Sequence, residues 1–182
     1  MRKDLGKKSY LFPMPVLIIG TYDELGRPNA MNAAWGGMYD YNQIIISLSK
    51  HVSTTNILKQ KEFTISFGTV ETVDSCDYVG IVSLASDPEK MNKSKLTPIK
   101  SNHINAPLFK ELPVALECRL IENPQQDIIG EIINVSVDES VITNGNIDMS
   151  KFHPISFNGA NNTYQEVGKV IAEAFSIGNK LK

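Results

Sequence analysis

Hydrophobic positions in this chain fall mostly in short runs and alternations, and only once at helical spacing. From Val16 to Tyr22 aliphatic and β-branched residues follow one another almost without a break, which predicts a strand. Turn residues occupy Asp23-Glu24-Leu25-Gly26-Arg27-Pro28 before a second extended segment, so the two segments read as antiparallel strands. Gln43 to Leu48, centred on Ile44, Ile45 and Ile46, predicts a third strand, and the alternation from Glu62 to Phe67 a fourth. Between them Ser53, Thr54, Thr55 and Asn56 offer N-cap side chains just ahead of Ile57 and Leu58, the pattern of a short helix. Leu112 to Ile121 and Ile128 to Val137 are strand-like runs on either side of the breaker Glu122-Asn123-Pro124, which predicts a hairpin with a longer connection. Near the end, Val167, Val170, Ile171, Ala174 and Phe175 fall at i, i+3, i+4, i+7 and i+8, with Gly178 as a stop. That spacing predicts one amphipathic C-terminal helix.

Strands joined largely by turns, with short helices inserted, predict a mainly β protein: a closed or partly closed antiparallel barrel with peripheral helices. The sequence holds no repeat, no low-complexity stretch and no Pro/Gly/Ser linker, and 182 residues suit a single domain over 1–182. An apolar content of 42% with 21% charged residues excludes a disordered or fibrous chain. A formal net charge of −2 gives no electrostatic reason to expect nucleic acid or an anionic membrane as partner, so any phosphate must be met locally. The basic start Met1 to Lys8 is followed by an apolar run broken by Pro13 and Pro15, a poor signal peptide, and no apolar stretch reaches spanning length. A cytoplasmic location is the expectation. Cys76 and Cys118 stand far apart without metal-ligand spacing and read as buried free thiols.

Two stretches hold candidate chemistry. In Asn29-Ala30-Met31-Asn32-Ala33-Ala34-Trp35-Gly36-Gly37 small side chains surround an Asn and precede the single Trp. Either a flat ligand approaches the backbone there and pairs its polar edge with peptide groups, or the strand simply packs closely with Trp35 as core filler. In Ser47-Leu48-Ser49-Lys50-His51-Val52-Ser53-Thr54-Thr55-Asn56 a strand ends and a helix begins. Hydroxyls, the Lys50 ammonium and free helix N–H groups could converge on a phosphate, or the hydroxyls could cap their own helix. Farther on, Asp77 to Ser83 is followed by Lys90, Lys93 and Lys95, which are either phosphate contacts or solvated lysines. His51, His103 and His153 lack the neighbours of a triad or a metal site. No metal and no catalytic side chain are expected.

Taken in order, Pro15 to Tyr22, Gly26 to Asn29, Asn32 to Gly37, Ser49-Lys50, Asn56-Ile57, Phe63, Asp77-Tyr78-Val79-Gly80, Lys90 and Leu96-Thr97 resemble the flavin reductase-like family over nearly the whole chain. The tail His153-Pro154-Ile155, Tyr164, Gly168, Ala174-Phe175 and Gly178 is similar to the end of its flavoredoxin type. The resemblance implies a split barrel holding FMN without a covalent bond, and a homodimer with the flavin near the interface. It places Met31, Asn32, Ala33, Ala34 and Trp35 along the ring, and Ser47, Ser49, Lys50, Ser53, Thr54, Thr55 and Asn56 about the ribityl phosphate, with Lys90 adding charge. It implies an FMN-dependent oxidoreductase taking electrons from NADH, NADPH or a redox protein; the alternatives are a flavoredoxin-like carrier without efficient NAD(P)H turnover and a flavin-free binding module. Without a GxGxxG fingerprint, a nicotinamide would have to stack on the flavin itself. Ser53 stands where relatives often carry Thr, and Leu84 and Lys95 where many carry Gly. Whether Tyr164, Phe175 or His153 reaches the flavin is open at this level.

Overall fold

A computed structural model describes residues 1–122 and 127–182. In chain order the strands and helices are β1 (Met14–Pro15), β2 (Leu17–Tyr22), β3 (Pro28–Ala33), β4 (Gly36–Asp40), β5 (Gln43–Ser47), α1 (Val52–Gln60), β6 (Glu62–Phe67), α2 (Val73–Ile81) and α3 (Lys90–Lys93). They continue with β7 (Pro98–Lys100), β8 (Pro107–Phe109), β9 (Val114–Glu122), β10 (Asp127–Val137), β11 (Ile142–Thr143), β12 (Asn146–Ile147), α4 (Met149–Phe152), β13 (Ile155–Asn158) and β14 (Thr163–Glu166). The strands expected from hydrophobic pattern are present, as is the short helix between the third and fourth of them. The expected hairpin of β9 and β10 is paired, while its Asn123-Pro124 breaker lies outside the described residues.

Seven strands form one antiparallel sheet in the order β3-β2-β6-β9-β10-β5-β4. Laid flat, the two edge strands of such a sheet would lie roughly 29 Å apart at the usual ~4.8 Å strand spacing. Yet only Ala34 and Trp35 connect the end of β3 to the start of β4, a link that spans at most about 11 Å. The sheet must therefore curl until its edges meet at this link, giving a barrel drawn together at one end and split along the remaining edge. Two register shifts in the β9–β10 ladder supply the local bending that such curling needs.

Among the described residues curling creates two large apolar compartments, beside a small cluster of Val114, Val141 and Phe152. Leu17, Ile19, Ile46, Phe63, Ile65 and Ile128 fill the barrel interior. Val16, Ile18, Ala30, Val79, Leu96 and Phe109 pack between the outer face of the sheet and the α2 to β8 region. Because β2 contributes Leu17 and Ile19 to one and Ile18 to the other, both its faces are buried. Its sequence accordingly reads as a continuous apolar run instead of an alternation. Gly130 faces Phe63 so closely that a Cβ there would lie 2.5 Å from the ring. A small sheet, β1-β13-β14, adds Ile155, Phe157 and Tyr164 to the outer compartment.

The C-terminal amphipathic helix expected from spacing is not formed. Residues 167–176 carry no helix, and only a 3-10 turn follows at Ile177–Leu181. Phe175 adopts φ 61°, outside the helical region, while Val170, Ile171 and Phe175 are 80%, 90% and 105% exposed. A helix of this length is marginal unless its apolar stripe is buried, and nothing among the described residues covers this one.

Candidate functional site

Edge strand β3, the start of α1 and the α2–α3 connection enclose a cavity of about 350 Å³, a size suited to a small-molecule ligand. Strand β3 lines it with Asn29, Met31 and Asn32, α1 with His51, Val52 and Ser53, the end of α2 and its connection with Val79 to Leu84, and α3 with Lys90. Helix α2 comes this near because Gly80 has no side chain: a Cβ there would lie 3.0 Å from Asn32 Cβ. Asn32 Nδ2 in turn donates to the carbonyl of Cys76 at 3.0 Å, tying helix to strand.

The polar groups at the cavity are under-satisfied in a consistent sense. Lys90 is 2% exposed, and its Nζ donates to Ala30 O at 2.7 Å. No carboxylate faces it among the described salt bridges. Burial pushes its ammonium down to about 8, the direction desolvation imposes on a cation. Asn29 is 2% exposed and donates through Nδ2 to Ser53 Oγ at 2.9 Å, leaving its Oδ1 without a partner among the described residues. A half-turn of that amide exchanges the roles: Ser53 Oγ then donates to Oδ1, and Nδ2 takes the buried position that has no partner among the described residues. Helix α1 adds its N-terminus, with His51 making no side-chain cap and no acidic residue in the first turn. A buried cation and an uncapped helix start give this cavity chemistry that suits an anion.

The expected site residues divide into groups. Met31, Asn32, Ser53 and Lys90 meet at this cavity. Ala34, Trp35 and Ser47 border a neighbouring open hollow of about 660 Å³, floored in part by Tyr10, Leu11 and Met14. Trp35 is 60% exposed and is no core filler. Ala33, between the two, packs on the barrel core. Thr54 Oγ1 donates to Ser49 O at 2.8 Å and Thr55 Oγ1 to His51 O at 3.3 Å, so these hydroxyls satisfy local backbone. Asn56 is buried, donating to Thr21 Oγ1 at 3.1 Å, and Lys50 is exposed beside the cavity without lining it.

Sequence reasoning passed over Asn29 and His51 as site residues. His51 Nε2 lies 2.8 Å from Ser49 Oγ, which orients its ring at the cavity mouth. The signal for Asn29 was an amide flanked by strand residues in a stretch already marked for its small side chains. Leu84 does border the cavity. Lys95, by contrast, has φ 61°, the conformation that favours glycine, and its ammonium meets Asp74 at 2.8 Å. Tyr164 donates to Asp77 at 2.8 Å and, by burial first and this carboxylate second, is pushed up to about 12. His153 meets Glu71 at 2.9 Å, and Phe175 stands clear of the barrel.

A curled half-barrel of seven strands with an anion-ready cavity on its edge strand defines a class, and residues 9–156 match the flavin reductase-like domain. The chain belongs to that family. It is similar to flavoredoxin of Desulfovibrio vulgaris (Miyazaki F), with 37% identity, coverage of 98% of this chain and 100% of the other, and a TM-score of 0.93. Flavoredoxin from Methanosarcina acetivorans shares the fold at 24% identity, with all of both chains covered and a TM-score of 0.88. An FMN-binding domain of a flavin reductase-like enzyme from Shewanella baltica shares it at 20% identity over 87% of this chain and 88% of the other, with a TM-score of 0.79. Among the described residues no helix is long and apolar enough to cross a membrane.

Proposed function

We propose that this protein binds FMN without a covalent bond and acts as an oxidoreductase, passing electrons from NAD(P)H or a redox protein to an acceptor. The observation that carries the reading is the buried Lys90 ammonium, held by a single carbonyl at 2.7 Å. Burying a charge without a counter-charge is costly, and a phosphate would remove that cost.

The residues present fit FMN. Lys90, Asn29, Ser53 and the first amides of α1 would hold the phosphate, while Met31, Asn32 and the backbone running on to Trp35 would lie along the ring. When bound, FMN supplies the hydride and single-electron chemistry. The chain's own part is to neutralise the phosphate, to orient the ring against β3, and to hold peptide donors along one ring edge, where they favour negative charge. No side chain is assigned a proton-transfer role. Membership of the family and similarity to flavoredoxin support this reading, and it includes a homodimer with the flavin near the subunit interface.

Gel filtration of protein mixed with FMN tests the first step: yellow protein retaining about one flavin per chain is expected, and colourless protein would favour a flavin-free binding module. Anaerobic stopped-flow mixing of the loaded protein with NADH and with NADPH tests the second. Rapid bleaching supports a reductase; bleaching only by a reduced redox protein supports a flavoredoxin-like carrier.

A further inference from the structure

Two apolar surfaces lack a partner among the described residues. One is the tip of the β4–β5 hairpin. Met38 and Tyr39 lie at an irregularity in the β4–β5 ladder and are 60% and 58% exposed, and Tyr41 at the turn is 97% exposed. With Trp35 at the base and the hollow of about 660 Å³ beside it, this forms an apolar arm on the last strand of the sheet, where an uncovered edge invites pairing with another chain. The other surface is the segment 167–182, whose Val170, Ile171 and Phe175 recur at helical spacing but are 80%, 90% and 105% exposed.

We propose that segment 167–182 of one copy crosses to a second copy and packs its Val170, Ile171 and Phe175 stripe over that copy's β4–β5 hairpin and the hollow beside Trp35, the exchange being mutual. This rests on the homodimer reading and specifies which part of one subunit completes the other's ring-side pocket.

Area favours this occupant. Aromatic side chains bury roughly 150–250 Å² each, so Trp35, Tyr39 and Tyr41 on the hairpin side offer on the order of 600 Å², and Phe175 with Val170 and Ile171 on the order of 400 Å². Reciprocal packing would remove on the order of 2,000 Å² from water, within the range of stable dimers. Reach is sufficient, since Phe175 lies nine residues beyond the end of β14, roughly 30 Å of extended chain. A two-fold arrangement also requires that each copy present both halves of the contact, and this chain does. Burial of the stripe would let it take the helix that its spacing encodes.

The test uses two single variants of the full chain, Phe175→Cys and Met38→Cys. The native thiols do not interfere: Cys76 and Cys118 are both 0% exposed, and burial pushes them up to about 11 and about 12. The variants are mixed, allowed to exchange subunits and treated with a short bismaleimide. A covalent dimer at least ten-fold more abundant in the mixture than in either variant alone supports the exchange. Removal of residues 169–182 should weaken association at least ten-fold in sedimentation. If Phe175→Cys/Met38→Cys in one chain cross-links only within that chain, the tail folds back on its own hairpin and the exchange is overturned. A truncated chain that stays dimeric overturns the exchange and leaves the homodimer standing, whereas a full chain that is monomeric at all concentrations overturns both.

Discussion

Replacing Lys90 by Met should weaken FMN binding and spare, or even raise, the stability of the flavin-free protein. Keeping the ammonium buried depresses its titration from 10.5 to about 8, which corresponds to a penalty of about 3 kcal/mol on the folded state at neutral pH. Met fills similar volume without charge and removes that penalty. It also leaves Ala30 O without the donor now 2.7 Å away, at a cost of about 1–3 kcal/mol. The net expectation is a change between about 0 and +2 kcal/mol in stability. FMN affinity moves the other way, because a charge-assisted hydrogen bond to phosphate contributes about 1.5–3 kcal/mol, roughly 10- to 150-fold in Kd. Urea melts of the flavin-free variants and fluorescence titration with FMN measure the two quantities. The sign with pH follows: a lysine depressed in the fold makes wild-type stability rise between about pH 8 and 10.5, and Lys90→Met should lack that rise. A variant destabilised by more than about 2 kcal/mol with unchanged FMN affinity would falsify the assignment and make Lys90 a structural strut.

Other outcomes follow from particular contacts. Gly20→Ala would set a Cβ 2.6 Å from Pro107 O, a backbone atom that cannot swing away, and should lower stability by about 2–3 kcal/mol in denaturant melts; a change below about 0.5 kcal/mol would mean that the start of β8 yields freely. Lys95→Gly relieves a left-handed backbone and forfeits only an exposed ion pair with Asp74, so the melts should show no loss and up to about 1 kcal/mol of gain. His153 is raised from 6.5 by Glu71 first and by Ser150 O second, so its contribution is complete below pH 6.5 and is lost as pH rises through the folded value. Glu71→Gln should therefore flatten the decline of Tm above pH 6.5, and an unaltered slope would show that the pair is idle.

Much of the barrel was legible because burial on one or both faces writes itself into hydrophobic spacing. Val16 to Tyr22 and Gln43 to Leu48 are strands whatever else the chain does. Helix α2 was harder to read, since Val73 to Ile81 mixes β-branched residues with Asp77 and Gly80, and Gly80 is there for the approach to Asn32 and not for helicity. The tail misled for the opposite reason: its period is genuine, but a period states which side wants burial and not whether the same chain provides the surface. At the cavity, capping chemistry pointed to the segment that holds Ser53, whereas Lys90 was set apart from Lys93 and Lys95 only by the resemblance to the flavin reductase-like family. Asn29 and the position of Lys50 depend on which way β3 and the loop before α1 face, and that is settled only when the sheet has curled.

The two-residue connection between β3 and β4 has a mechanical meaning. It makes the barrel a sprung clasp: the far edges of a seven-strand sheet are fastened at one stitch, and everything opposite that stitch is free to gape. Asn32 borders the cavity on one side of the clasp and Ala34 the hollow on the other. A ligand pressing on either would therefore tighten or slacken both, and amides of β3 and β4 next to the stitch should exchange with solvent in step with each other, ahead of those of β2 and β6 in the wall.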